Sequence, residues 1–122
     1  MKVALFGSTG FVGSYLVDTL IENKFIPKVL VRFGSEKKIR SECDIVSGDI
    51  LDSKAVEKTI CNTDAIIYNI GIIREFSVKG ITYNKLHYEG VRKCIVVAQK
   101  LGIKRFILMS ANGVKKNGTN YQ

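Results

Sequence analysis

Few residues in this sequence are suited to disulfide bonds or metal ligation. There are three cysteines, Cys43, Cys61 and Cys94, and a single histidine, His87. The cysteines lie too far apart to form a CxxC pair, and an odd number fits a disulfide framework poorly. Without a cysteine pair or a second histidine, the sequence predicts no zinc site. We therefore expect no metal, and three reduced thiols that act as small apolar side chains.

Long apolar runs are also lacking. No run approaches the roughly 20 residues that a helix needs to span a bilayer. After Lys2 only the apolar run Val3–Phe6 precedes a glycine-rich turn, and no small-residue cleavage site follows a longer apolar stretch. The N-terminus therefore does not resemble a signal peptide. These absences predict a cytoplasmic protein without a transmembrane segment.

Long basic runs are missing as well, although the chain carries a net charge of +8. A basic domain can bind nucleic acid, an anionic membrane surface or an anionic small molecule. Adjacent lysines occur at Lys37-Lys38 and Lys115-Lys116, but no basic run is longer. There is no RNA-binding aromatic signature and no helix-turn-helix pattern. The composition therefore favours a solvated basic surface over nucleic-acid binding.

Short apolar runs alternate with longer amphipathic stretches along the chain. The predicted strands are Val3–Phe6, Val29–Val31, Asp44–Val46, Ala65–Ile70 and Phe106–Met109. Apolar residues at helical spacing predict helices from Phe11 to Asn23 and from about Tyr83 to Leu101, the second ended by Gly102. This alternation predicts an α/β fold of three layers, a doubly wound parallel (Rossmann) sheet with strand order 3-2-1-4-5. Residues 1–122 contain no linker or repeat and are predicted to form a single domain.

Two details of the strands support this fold. The strand runs are continuously apolar rather than alternating, which predicts strands that are covered on both faces. The only proline, Pro27, stands at the entry to the second predicted strand, where its missing N–H costs least.

A glycine-rich turn connects the first predicted strand to the first predicted helix. Its residues are Gly7, Ser8, Thr9, Gly10, Phe11, Val12 and Gly13. In a dinucleotide-binding turn the first glycine permits a tight turn, the second lets the backbone approach the pyrophosphate, and the third lets the helix pack close to the sheet. The helix N-terminus then faces the phosphates, and the hydroxyls of Ser8 and Thr9 can add donors. The turn predicts a site for NAD or NADP.

The residue after the second predicted strand favours NADP over NAD. NAD-binding domains usually carry an acid about 20 residues after the glycine turn, bonded to the ribose 2′-hydroxyl. No acid lies between Glu22 and Glu36 here, and Arg32 follows the strand. A guanidinium there can pair with a 2′-phosphate and stack on adenine, and Lys37 and Lys38 can add positive charge. The alternative is that Arg32 is a solvent-facing residue at the end of a strand.

Two further segments follow predicted strands and therefore point to the ligand crevice. After the third strand, Asp49 can accept from the adenine amine, with Ile50 beside it; the alternative is that Asp49 caps a short turn. After the fourth strand, Asn69, Ile70 and Gly71 let the backbone pass close to the ribose and nicotinamide. Ser110 closes the fifth strand at the edge of the same crevice.

With these residues, the chain resembles the short-chain dehydrogenase/reductase superfamily. Within it, the chain is similar to the atypical NmrA-like branch and to the nucleotide-binding accessory subunit of respiratory complex I. The resemblance covers essentially all of the chain. It is carried by the glycine-rich turn, Val31-Arg32, Gly48-Asp49-Ile50, residues 69–75 and residues 105–113. Because members of this superfamily are considerably longer, it implies a domain that ends after the fifth strand and lacks their substrate-binding part.

The resemblance also implies candidate catalytic residues. Catalytic members use a serine, and a tyrosine with a lysine one helical turn later that lowers the tyrosine pKa for proton transfer. Ser110 matches the serine and Tyr121 is the candidate tyrosine, but the sequence ends at Gln122, before the lysine position. His87 stands where many extended members carry an asparagine. Without the lysine, Tyr121 is expected to be a poor acid–base group at neutral pH.

Three functional hypotheses remain open, and the choice among them rests on analogy. The favoured one is a cofactor-binding or redox-sensing module. The second is the N-terminal part of an NAD(P)-dependent oxidoreductase or epimerase, completed by a missing C-terminal half or by a partner. The third is a basic scaffold that binds nucleic acid or a membrane. A sheet that ends at the fifth strand would leave an unpaired edge, so we expect a homo-oligomer or a protein partner to cover it.

Overall fold

Strands and helices alternate along the chain, as the sequence predicts. In the computed structural model, which describes residues 1–70 and 89–109, the strands are β1 (Lys2–Phe6), β2 (Ile26–Val31), β3 (Asp44–Ser47), β4 (Ala65–Tyr68) and β5 (Arg105–Leu108). The helices are α1 (Phe11–Glu22), α2 (Ser53–Ile60) and α3 (Gly90–Leu101), and a 3-10 turn covers Glu36–Lys38. Neighbouring strands are parallel and follow the order β3-β2-β1-β4-β5. The predicted doubly wound sheet and its strand order are confirmed.

Helices cover both faces of the sheet, which gives the three predicted layers. On one face, α1 contributes Val17 and Leu20 to a core with β-strand residues such as Leu5. On the other face, α2 and α3 pack side chains such as Val56 and Cys94 against the strands. Residues Val3–Phe6 of β1 and all of β4 are buried because both faces of these central strands are covered.

The ends of α1 and α3 follow the sequence closely. α1 begins at Phe11 as predicted and ends one residue early, with Asn23 as its cap. The backbone N–H and the side-chain amide of Asn23 both donate to the Thr19 carbonyl. Gly102 ends α3 in the left-handed conformation (φ +76°), which confirms the predicted terminus. The predicted start of that helix at Tyr83 lies outside the described residues. Within the described ranges, no helix has the length and hydropathy to cross a membrane.

β2 is longer than the sequence predicts. It begins at Ile26 rather than Val29, so Pro27 lies inside the strand instead of at its entry. The pairing with β3 starts only at Lys28, and Pro27 faces β1 alone, opposite Val3. A proline is tolerated here because the strand has a free edge at that residue.

α2 is a helix that the strand and helix assignment from the sequence missed. It has eight residues, Ser53–Ile60, and buries Ala55, Val56 and Ile60 against the sheet. Its N-cap is Asp52, whose Oδ1 accepts a hydrogen bond from the Lys54 backbone N–H at 3.0 Å. This carboxylate satisfies one of the amides that the first helical turn leaves without an intrahelical acceptor.

Removing this cap tests how much it contributes to stability. We expect Asp52→Ala to lower the free energy of unfolding by about 1 kcal/mol, because the exposed cap is lost without disturbing the core. Asp52→Asn is the matched control, since its side-chain oxygen can still accept from Lys54 and should retain most of the stability. Urea unfolding of the three proteins measures both changes. Equal losses in the two variants would contradict the capping role.

β5 is the least covered strand of the sheet. Ile107 and Leu108 are about half exposed, at 50% and 44%, and they belong to opposite faces of the strand. On α3, Ile95 and Val96 are also exposed. β5 pairs with β4 on one side, and within the described residues no strand pairs with its other edge. The expectation that an oligomer or a partner covers this edge stays a prediction.

The cysteines behave as small apolar side chains at two of their three positions. Cys43 and Cys94 are buried in the cores on opposite faces of the sheet, and all three cysteines are free thiols. Burial raises the pKa of the Cys94 thiol to about 12, so this thiol is protonated at neutral pH. Burial also raises the pKa of Cys43. Among the described residues, no cluster of three histidine, cysteine or acidic side chains could hold a metal ion.

Candidate dinucleotide site

The carboxyl ends of the two central strands bring two of the predicted segments into contact. The Asn69 backbone N–H, just after β4, donates to the Phe6 carbonyl at the end of β1 at 2.8 Å. The Asn69 side-chain amide lies 3.4 Å from the Gly7 carbonyl. The glycine-rich turn and the segment after β4 therefore lie side by side at the carboxyl edge of the sheet, where open α/β sheets bind ligands in a crevice.

Gly7 and Gly13 each stand where a side chain would collide with backbone. Gly7 has a φ of +93°, and a Cβ there would lie 2.6 Å from the Asn69 carbonyl oxygen. A Cβ on Gly13 would lie 1.9 Å from the Gly7 carbonyl oxygen. The first glycine makes the tight turn, and the third lets α1 approach the turn closely.

Gly10 differs from these two glycines because its surroundings are open. A Cβ at Gly10 would meet no atom within 4 Å, and its φ of −80° is accessible to any residue. The protein therefore does not require glycine at this position. A ligand that approaches the backbone closely would require it.

Gly10 is also the N-cap of α1, and the helix start suits an anion. No side chain caps this terminus, and its first turn contains no acidic residue. The first intrahelical hydrogen bond runs from the Ser14 N–H to the Gly10 carbonyl at 2.9 Å. The amides that precede Ser14 have no acceptor within the helix, and the helix dipole favours negative charge in front of them.

The hydroxyl of Ser8 adds a donor without a partner among the described residues. Ser8 is 3% exposed, and its Oγ forms no hydrogen bond with any residue that the structure describes. A buried hydroxyl without a partner is energetically costly, so a bound acceptor at this position would relieve the cost. Thr9 is exposed beside it, as are the side chains of Phe11 and Val12. The orphaned hydroxyl, the open face of Gly10 and the uncapped amides fit the pyrophosphate of a dinucleotide.

Arg32 lies at the adjacent strand end, directly after β2. It is exposed and forms no ion pair with any residue in the described ranges. The nearest acid along the chain, Glu36, accepts hydrogen bonds from the Gly34 N–H at 2.8 Å and from the Ser47 hydroxyl at 2.7 Å. The hydrogen bond from Ser47 is the main cause that holds the pKa of Glu36 below its ordinary value. The guanidinium is therefore available to a ligand.

The segment after β3 is engaged in local structure. Asp49 is exposed, and its Oδ1 accepts from the Leu51 N–H at 2.8 Å while its carbonyl accepts from the Asp52 N–H at 2.9 Å. This geometry agrees with the alternative in which Asp49 caps a short turn, since one carboxylate oxygen is occupied. Ile50 is 6% exposed and packs in the core with the helices α2 and α3, so its side chain faces away from solvent.

Some of the remaining predicted residues lie within the described ranges and the others lie outside them. Asn69 and Ile70 are half-buried at the crevice. Gly71, Ser110 and Tyr121 lie outside the described residues.

Comparison with known proteins gives a family match over nearly the whole chain. The profile of a family described as NAD(P)H-binding matches residues 7–121. The matched region begins at Gly7 and contains the glycine turn, Arg32 and the segment after β4.

Individual relatives are longer than this chain. It is 31% identical to a ceramide reductase of Caulobacter vibrioides over 111 residues, which cover 89% of this chain and 34% of that protein. It is 24% identical over 121 residues to the mitochondrial 40 kDa subunit of NADH-ubiquinone oxidoreductase of Neurospora crassa, covering 93% of this chain and 31% of the relative. The chain thus spans about a third of the length of these relatives.

A solved structure shows the same fold. UDP-glucose 4-epimerase of Thermotoga maritima superposes with a TM-score of 0.80 at 23% identity, over 98% of this chain and 41% of the epimerase. The family match, the strand order and the glycine turn lead to one assignment. The chain belongs to the NAD(P)H-binding family and folds as a Rossmann domain.

Proposed function

We propose that this domain binds NADP in preference to NAD and serves as a cofactor-binding or redox-sensing module. The observation that carries the preference is Arg32, an exposed arginine without an ion pair among the described residues, at the strand end where NAD-binding domains carry an acid. A guanidinium matches the planar oxygens of a phosphate with two parallel hydrogen bonds.

The pyrophosphate is held by the glycine-rich turn in this proposal. The amides at the start of α1 and the buried Ser8 hydroxyl donate to its oxygens, and Thr9 adds a second hydroxyl. The open face of Gly10 supports this assignment, because the ligand occupies the space that a side chain would fill. Phe11 and Val12 take part through their backbone amides, while Gly7 and Gly13 shape the turn.

The two ends of the dinucleotide then lie beside the neighbouring strand ends. Asp49 accepts from the adenine amine through the carboxylate oxygen that its local turn leaves open, and Ile50 contributes its backbone there. Asn69, Ile70 and Gly71 lie beside the ribose and nicotinamide. The contact between Asn69 and Gly7 supports this arrangement, because it joins the two walls of one crevice.

Reversing the charge of Arg32 tests the cofactor preference. We expect Arg32→Glu to weaken NADPH binding about 30-fold and NADH binding by less than about threefold, because only NADPH has the 2′-phosphate. Calorimetric titration of both cofactors measures the two affinities.

The control for this test has the same change in net charge. Lys104→Glu alters an exposed lysine just before β5, at the opposite edge of the sheet from the crevice. We expect it to leave both affinities near those of the unaltered protein. An equal loss of NADPH and NADH in Arg32→Glu, or equal losses in the two variants, would contradict a contact with the 2′-phosphate.

An oxidoreductase is the second candidate, and the 31% identity to a ceramide reductase favours it. In this reading, the domain supplies the cofactor half of an active site, and the remainder of the site comes from chain beyond it or from a partner. Ser110 and Tyr121 are the residues proposed for proton transfer. Their positions are inferred from the family pattern alone.

A further inference from the structure

The loop that presents Arg32 is held by a hydrogen-bond clamp. The loop consists of residues 32–38, which we call the Arg32 loop, and the clamp consists of the Glu36 carboxylate and its two donors. Oε1 of Glu36 accepts from the Gly34 backbone N–H at 2.8 Å, within the loop. Oε2 accepts from the Ser47 hydroxyl at 2.7 Å, on β3.

The first of these hydrogen bonds fixes the shape of the loop. Gly34 has a φ of +93°, a left-handed conformation that turns the chain back after β2. The Ser35 N–H donates to the Arg32 carbonyl at 3.0 Å, and the Lys38 N–H donates to the Ser35 carbonyl at 3.1 Å. Glu36 accepts from the glycine of this turn, so its carboxylate closes the loop on itself.

The second hydrogen bond ties the loop to the sheet. Ser47 is the last residue of β3 and lies opposite Val31, the residue before Arg32. The Gly48 N–H donates to the Val31 carbonyl at 2.8 Å, which extends the pairing one residue past the end of β3. The Ser47 hydroxyl therefore projects from the rigid part of the fold beside the base of the loop.

The clamp also controls the only negative charge in the loop. Glu36 is the single acid between Glu22 and Glu42, whereas Lys37 and Lys38 are exposed cations next to it. A carboxylate that left Ser47 would be able to pair with Arg32 and would repel a phosphate bound there. Held by two donors, it forms no ion pair with any described residue.

We propose that Ser47 and Glu36 are positioning residues that set the cofactor preference, by holding the Arg32 loop in the shape that offers its guanidinium to the 2′-phosphate. This inference rests on the proposed contact between Arg32 and NADP. Ser47 itself is not required to touch the cofactor. Its effect on NADPH passes through Glu36 and the loop, and NADH, which lacks the 2′-phosphate, is much less sensitive to it.

Removing the hydroxyl of Ser47 tests the clamp. We expect Ser47→Ala to weaken NADPH binding about fivefold and NADH binding by less than about twofold, an effect of the size of one ordinary hydrogen bond because Ser47 acts on the cofactor only indirectly. Ser47→Thr keeps the hydroxyl on a residue that favours strands, and it should restore NADPH affinity. Thermal unfolding of both variants, measured beside the titrations, separates a folding defect from a loss of positioning.

A double-mutant cycle with Arg32→Ala shows whether the effect passes through the arginine. If it does, Ser47→Ala weakens NADPH binding in the native background and has no effect in the Arg32→Ala background. If Arg32→Ala leaves the ratio of the NADPH and NADH affinities unchanged, the proposed cofactor preference itself is overturned. If Arg32→Ala changes that ratio and Ser47→Ala does not, or if Ser47→Ala weakens both cofactors equally, only the clamp is overturned.

Discussion

Replacing Gly10 with valine is expected to abolish dinucleotide binding and to leave the fold intact. A side chain at Gly10 meets no protein atom within 4 Å, so the protein itself tolerates it. The same space is where the pyrophosphate has to approach the backbone at the start of α1. A valine there would block that approach, and we expect at least a 100-fold loss of affinity for NADPH and NADH alike, about 3 kcal/mol.

Two measurements separate the effect on binding from an effect on stability. Calorimetry gives the affinities, and thermal unfolding of the free protein should give a midpoint within a few degrees of the native value. Ser53→Val is the matched control, because it places the same exposed side chain in the first turn of α2, where no ligand is proposed. Unchanged affinity in Gly10→Val, or a loss of the fold, would be incompatible with the pyrophosphate site described here.

The order of the strands could be predicted from the sequence because the central strands have the strongest signal. β4 is buried along its whole length and β1 from Val3 onward, so both are read as uninterrupted apolar runs. Parallel pairing and right-handed crossovers then leave few topologies to choose from. The start of β2 was harder to place, since Ile26 is exposed and Pro27 is unusual within a strand.

α2 could not be recognised as easily, because eight residues contain little more than two helical turns. Its buried side chains form only two adjacent pairs, Ala55-Val56 and Thr59-Ile60, and an exposed lysine precedes each pair. A local signal was nevertheless present. Asp52 stands directly before the stretch, and an acid at the N-cap position is typical of a helix start.

In the candidate site, features formed by neighbouring residues could be predicted, whereas contacts between residues far apart in the sequence could not. The packing roles of Gly7 and Gly13 could be predicted, because these glycines lie close together in the sequence and follow a strand. The clamp between Glu36 and Ser47 could not, because its partners are brought together only by the pairing of β2 with β3. The burial of the Ser8 hydroxyl likewise depends on packing that no short motif contains.

Gly13→Ala is expected to have the opposite effect to Gly10→Val, a large loss of stability. Within a helix, alanine is normally more favourable than glycine by about 1 kcal/mol. Here the added Cβ would lie 1.9 Å from the Gly7 carbonyl oxygen, so α1 has to move away from the turn or the turn has to open. Neither backbone can yield as a flexible side chain would, and Val17 and Leu20 of α1 would be displaced from the core with it. We expect a net loss of about 3 kcal/mol in the free energy of unfolding.

Urea unfolding of Gly13→Ala beside Ser14→Ala provides the comparison. Ser14 is the next residue of α1 and is exposed, and its hydroxyl donates to the Phe11 carbonyl at 2.8 Å. Its replacement should change stability by less than about 0.5 kcal/mol, because a small gain in helix propensity offsets the loss of one exposed hydrogen bond. If Gly13→Ala were as stable as Ser14→Ala, the close contact between helix and turn would not be needed. The third glycine would then have to be explained by the ligand, as Gly10 is, rather than by the packing of the protein.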